Sequence, residues 1–152
     1  MTSLIVGIDL SSKQLDAAII PTDPTVTQSV AYQTIPVTTL RDVRDAVRRI
    51  CAHPRIVSVV VERPVGRYGL HTLLPVFGAV VASVPTQLTV EDYRPNVWRS
   101  ILGANKATTK LGGQQRVADW LNTNNLAVST EHHTDALGIA LAHRDWFWRE
   151  TA

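Results

Sequence analysis

A chain of 152 residues, 45% hydrophobic, is long enough for one domain burying roughly two-thirds of its unfolded surface and too short for two ordinary ones. Its one cysteine, Cys51, excludes an intramolecular disulfide and implies a reducing, cytoplasmic setting, and no apolar stretch approaches the roughly 20 residues that span a bilayer. The net charge of +2 hides an uneven distribution: residues 1–62 carry 6 basic and 6 acidic side chains, 63–118 carry 7 and 2, and 119–152 carry 2 and 5. The middle segment is thus the expected footprint for a polyanion such as a nucleic acid, with an ordinary solvated surface as the alternative.

The stretch before Asp9 has no basic residue and lacks the layout of a secretory signal. Residues 4–10, 15–20 and 29–35 read as three strands of a meander, joined by Ser11-Ser12-Lys13 and Pro21-Thr22-Asp23-Pro24. Leu40, Val43, Val47 and Ile50 recur at helical spacing behind the candidate caps Thr38 and Thr39, leaving Arg41, Arg44 and Arg48 to water. Residues 56–62 form a strand apolar on both faces, a candidate parallel neighbour of the first.

Thr72 to Val84 reads as a helix, with Pro75 tolerable only in its first turn, and it has almost no polar face. One side is expected on the sheet and the other either on a partner subunit or under the rest of the domain. A short strand from Leu88, a brief helix from Pro95 to Leu102, a loop from Gly103 to Gly113 and a helix from Gln114 to Leu121 follow. The run Asn122-Thr-Asn-Asn breaks that helix, and the last one runs from about Glu131 to Trp148, with Trp146 and Trp148 roughly 200° apart around its axis. No repeat or linker interrupts this single domain.

Three acids stand out. Asp9 ends the run Leu4-Ile5-Val6-Gly7-Ile8, Glu62 ends Ile56 to Val61, and Asp135 opens the last amphipathic segment with His132 one turn before it. Carboxylates at the ends of buried strands are costly unless a cation meets them. Parallel first and fourth strands would bring Asp9 and Glu62 out at one carboxyl edge, where open α/β sheets place their sites. Asp135 and His132 share a helix face and can grip an ion from above. Such a donor set suits phosphodiester hydrolysis assisted by two divalent cations, Mg²⁺ or Mn²⁺, and the imidazole favours Mn²⁺. His132 could instead act as general base, and Glu131 or His133 could replace it as ligand. Each residue taken singly also has a plain reading as a turn, an ion pair or a helix-terminal charge.

The order Gly7-Ile8-Asp9, then Val59-Val60-Val61-Glu62, then His132-His133-Thr134-Asp135-Ala136-Leu137-Gly138-Ile139-Ala140 resembles the RuvC-type Holliday-junction resolvases of the ribonuclease H-like superfamily. In that family the first strand ends in Asp, the fourth in Glu, and the last helix begins with Asp or His three residues before a final Asp. The segment Pro95-Asn-Val-Trp98-Arg99-Ser-Ile-Leu-Gly103 is similar to the family's stretch before its DNA-contacting loop. The resemblance covers nearly the whole chain. It departs at Leu10-Ser11-Ser12, where the family usually has Pro-Gly-Ser, and at Gln114 and Gln115, where members tend to carry a lysine.

The resemblance implies an α/β, ribonuclease H-like fold over residues 1–152, with a mixed five-stranded sheet flanked by helices. It also implies a homodimeric endonuclease that resolves four-way DNA junctions by paired symmetric nicks. Asp9, Glu62, His132 and Asp135 would be the catalytic and metal-binding residues. Arg63, Arg67, Tyr68, Arg99, Lys106 and Lys110 would contact DNA, Tyr68 as a candidate wedge and Lys106 or Lys110 in place of the missing lysine. A nuclease for flaps, other branched DNA or structured RNA keeps the same fold. The strand Val6-Gly7-Ile8-Asp9-Leu10-Ser11-Ser12 also looks like the first phosphate loop of actin-like ATPases, but those need a second lobe that 152 residues cannot supply.

Overall fold

The computed structural model describes residues 2–27, 29–66, 69–103, 109–127 and 130–148, without the side chain of Trp148. Strands β1 (Leu4–Leu10), β2 (Gln14–Pro21) and β3 (Ala31–Pro36) form the expected antiparallel meander. Helix α1 (Leu40–Cys51) leads into β4 (Ile56–Glu62), which lies parallel to β1, and α2 (Leu70–Ser83) leads into β5 (Thr89–Tyr93), parallel to β4. The sheet order is β3-β2-β1-β4-β5. Three helices close the chain: α3 (Pro95–Ile101), α4 (Lys110–Thr123) and α5 (Glu131–His143), the last running into a π-type turn, Arg144–Trp148. Among the described residues no helix is long and apolar enough to cross a membrane.

Strand alternation sorts the sheet's side chains into two layers. Val6, Ile8, Val59 and Val61 face α1 and α2, packing on Val43, Val47, Ile50, Val76 and Val80. Ile5, Ala18, Ile20 and Val60 face the other three helices, meeting Trp98, Val117, Leu121, Leu137 and Ile139. The same parity puts Asp9, four residues after Ile5, and Glu62, two after Val60, on the α5 side. Helix α1 is fixed by a capping box in which Thr39 and Asp42 exchange hydrogen bonds, and its arginines Arg41, Arg44 and Arg48 are exposed as expected.

Four expectations need correction. Helix α2 starts two residues earlier than the sequence pattern indicates, because Gly69 adopts the left-handed conformation (φ 71°) and its carbonyl accepts from Thr72 and Leu73. Pro75 therefore lies beyond the first turn; the carbonyl that loses its partner belongs to exposed His71, where water can serve it. Residues 110–113 are helical, not loop, since Thr109 caps α4 through the Gly112 N–H. The last helix loses α geometry after His143, so the 200° separation of Trp146 and Trp148 does not hold; Trp146 is exposed.

Candidate metal centre

The register of β1 and β4 pairs Ile8 with Val61, so the next residues, Asp9 and Glu62, leave the sheet side by side at its carboxyl edge. Helix α5 then lies directly across β1. A Cβ on Gly7 would sit 2.2 Å from the Ala136 carbonyl oxygen, so only a bare glycine lets α5 come this close. Thr130 caps the start of the helix by accepting from the His133 N–H. Asp135, buried at 6% exposure, is thereby brought near enough to the two strand acids for its charge to raise both.

The charges of Glu62 and Asp135 bear on Asp9, and that of Asp135 on Glu62. Burial, reinforced by the charges of Asp135 and Glu62, pushes the Asp9 carboxyl up to about 7, against a hydrogen bond from His132 that lowers it. Burial also raises Glu62; a hydrogen bond from Trp98 opposes this, Asp135 adds to it, and Arg99 and Lys110 counter it. Burial raises Asp135, with Lys110 and Arg99 pulling the other way.

His132 Nδ1 donates to Asp9 Oδ2 at 3.0 Å, and that bond raises the pKa of the imidazole. His133 turns aside. It stacks on Tyr32 with centroids 4.9 Å apart, and its Nε2 lies 2.7 Å from Thr34 Oγ1 and 3.3 Å from Asp16 Oδ1. Lys110 Nζ reaches Glu131 Oε1 at 2.7 Å and Asp135 Oδ2 at 3.4 Å. Partial burial works against the Lys110 ammonium, but these carboxylates outweigh it and raise its pKa. Glu131 thus serves as a partner of Lys110 at the rim of the site.

Among the other sequence-derived candidates, Arg63 pairs through Nε with Asp92 on β5. Arg99 is buried under α4, its guanidinium 5.3 Å from the Trp98 ring centroid, and its charge is felt by Glu62 and Asp135. Arg67, Tyr68 and Lys106 lie outside the described residues.

Two residues escaped the sequence reading. Asp16 lies opposite Asp9 across β1 and β2, 1% exposed, and accepts from Gln14 Nε2 at 2.8 Å and Thr34 Oγ1 at 2.6 Å. Ligand atoms of Asp9, Asp16 and His132 all fall within 4.8 Å of one another. A lone acid inside the apolar run Leu15 to Ile20 was the available signal. The other is Trp98, fully buried, whose Nε1–H donates to Glu62 Oε2 at 2.6 Å.

The donor set fits a hard divalent cation. Asp9, Glu62 and Asp135 repel one another, His132 is bonded to Asp9, and Asp135 Oδ1 is buried with no hydrogen-bond partner among the described residues. A buried carboxylate oxygen without a donor is costly, and a bound cation satisfies it.

No family model matches the sequence, and no curated protein matches it. Solved structures do. RuvC of Thermus thermophilus superposes with a TM-score of 0.78 at 19% identity, covering 98% of both chains. The same protein in complex with a Holliday junction substrate gives 0.75 at 18% identity, again over 98% of each. The Fowlpox virus resolvase with its Holliday junction DNA gives 0.57 at 13% identity, over 95% of this chain and 98% of that one. The chain therefore has the ribonuclease H-like fold of RuvC, with its mixed five-stranded sheet and flanking helices.

Proposed function

We propose that this protein is a divalent-cation-dependent endonuclease that cuts four-way DNA junctions. The observation that carries the reading is that Asp9, Glu62 and Asp135, from three separate elements, are near enough to repel one another, with a buried carboxylate oxygen unpartnered among the described residues. The fold supports it, since two proteins that share it were solved with junction DNA.

Asp9, Glu62, His132 and Asp135 would hold the metal, Mg²⁺ or Mn²⁺, in pairs. Bound there, divalent cations supply the charge that makes water nucleophilic and stabilises the leaving oxygen of an in-line displacement. The chain's own residues do the rest. The Asp9 carboxylate keeps the His132 ring aligned, leaving its other nitrogen free to ligate or to take a proton from water. Lys110, half-exposed at the start of α4, is placed to meet a phosphate oxygen beside Asp135. The basic segment 63–118, with Arg63, Arg67, Arg99, Lys106 and Lys110, would supply positive charge for a DNA backbone, and Tyr68 an aromatic for unpaired bases.

Symmetric cutting requires two copies. The outer face of α2 exposes Leu74, Pro75, Gly78 and Ala82, an apolar stripe suited to self-association about a twofold axis. The test incubates labelled four-way junction, flap, linear duplex and RNA·DNA hybrid with the protein and Mn²⁺ or Mg²⁺, beside Asp9→Asn. Paired nicks in the junction, faster with Mn²⁺ and lost in Asp9→Asn with junction binding retained, are expected. Cutting that persists in Asp9→Asn, or is confined to linear duplex or hybrid, overturns the proposal.

A further inference from the structure

The indole of Trp98 is fully buried between α4 and α5, yet its one polar atom does not search for solvent: Nε1–H donates to Glu62 Oε2 at 2.6 Å. The slot that holds the ring is built for it. A Cβ on Gly138 would lie 2.6 Å from Trp98 Cζ3 and 3.0 Å from Val117 Cγ2, so the glycine in α5 is the space the ring occupies. On the ring's other neighbour, Arg99 places its guanidinium 5.3 Å from the centroid, and a Cβ on Gly113 would meet Arg99 Cγ at 2.7 Å. Two glycines, on α4 and α5, thus make room for the Trp98-Arg99 pair.

Carboxylates that bind metals are themselves commonly held by hydrogen bonds from behind, which fix which oxygen faces the ion. We infer that Trp98 is a positioning residue for Glu62: its N–H engages Oε2 and so sets the orientation in which the carboxylate meets the cation. Unlike a lysine in that place an indole adds no charge, and unlike a water it cannot rotate inside a packed slot. The inference rests on the cation-dependent reading of the site, and it links α5, through Gly138, to the geometry of a strand acid that α5 does not itself carry.

The experiment uses the full chain labelled with ¹⁵N at the indole nitrogens of its four tryptophans, the Trp98 resonance being identified by its loss in Trp98→Phe. Mg²⁺ is titrated while heat of binding is followed by calorimetry in parallel. The Trp98 indole signal is expected to shift with the same midpoint as the heat, and Trp98→Phe is expected to bind Mg²⁺ about tenfold more weakly. Heat from the wild type with an unmoved Trp98 signal overturns the positioning role alone. A folded Trp98→Phe with unchanged affinity does the same. Absence of heat in the wild type overturns the cation reading and this role with it. Should Trp98→Phe not fold, its role in assignment passes to selective loss of the other three tryptophans, and the wild-type titration decides.

Discussion

The most direct consequence of the site's electrostatics is that Asp9 destabilises the protein that contains it. Burial and two neighbouring carboxylates raise its pKa from 3.8 to about 7. A carboxyl raised on folding binds its proton more tightly in the folded state. Its contribution to stability is full below the unfolded pKa and is lost as pH rises through about 7. Three units at about 1.4 kcal/mol each set a ceiling of about 4 kcal/mol lost above neutrality. Asp9→Asn removes the charge and keeps an oxygen for the His132 N–H, whose opposing pull on the carboxyl is already contained in the rise to about 7. In EDTA at pH 8 the variant is therefore expected to be more stable than wild type by up to about 4 kcal/mol, a rise in Tm of up to roughly 8–16 °C for a domain of this size. Thermal melts from pH 4 to 8 should show the advantage shrinking toward pH 4. Millimolar Mg²⁺ should raise the wild-type Tm and barely move the variant. Equal or lower stability of Asp9→Asn at pH 8, or an advantage independent of pH, refutes the reasoning.

The buried His143 gives a slope of opposite sign. Its Nε2 lies 2.8 Å from Ser58 Oγ and its Nδ1 3.1 Å from the Tyr93 hydroxyl, and burial pushes its pKa down from 6.5 to about 4. The unfolded chain takes up this proton first as pH falls, so about 3 kcal/mol of stability is lost between pH 6.5 and 4. Urea unfolding across that window should show His143→Phe lacking this limb. Gly7→Ala drives a methyl into the Ala136 carbonyl and should cost at least about 3 kcal/mol by chemical denaturation, together with the Tm response to Mg²⁺. Lys110→Met removes the ammonium that neutralises Asp135, so calorimetry should show Mg²⁺ binding tightened roughly 3- to 10-fold while junction cleavage falls.

The strand acids were legible because a buried parallel strand advertises itself as an apolar run and its end as the first charge. Asp9 and Glu62 both end such runs, and the register of β1 on β4 brings them together. What was not legible has specific causes. Gly112 and Gly113 read as a loop, yet Gly113 is there because Arg99 leaves no space for a Cβ, a packing demand that mimics a turn signal. Asp16 was hidden because one acid hardly disturbs a strand pattern; only the antiparallel register, which sets it opposite Asp9, reveals that both lie on the α5 side. Trp98 read as part of a family segment, and its bond to Glu62 joins residues 36 apart in sequence.

Mutual repulsion means that the three carboxylates cannot hold themselves together, so their arrangement must be imposed by something that does not titrate. The structure supplies it in two close approaches on α5, both within the turn that follows Asp135. The Ala136 carbonyl lies over Gly7, two residues before Asp9, and Gly138 admits the Trp98 ring that holds Glu62. Nearly every residue of α5 after His133 is buried, so the helix has no freedom to relieve the repulsion by tilting away. Backbone contacts and an uncharged indole thus hold the acids where they raise one another's pKa, and the remaining relief is protonation or a bound cation.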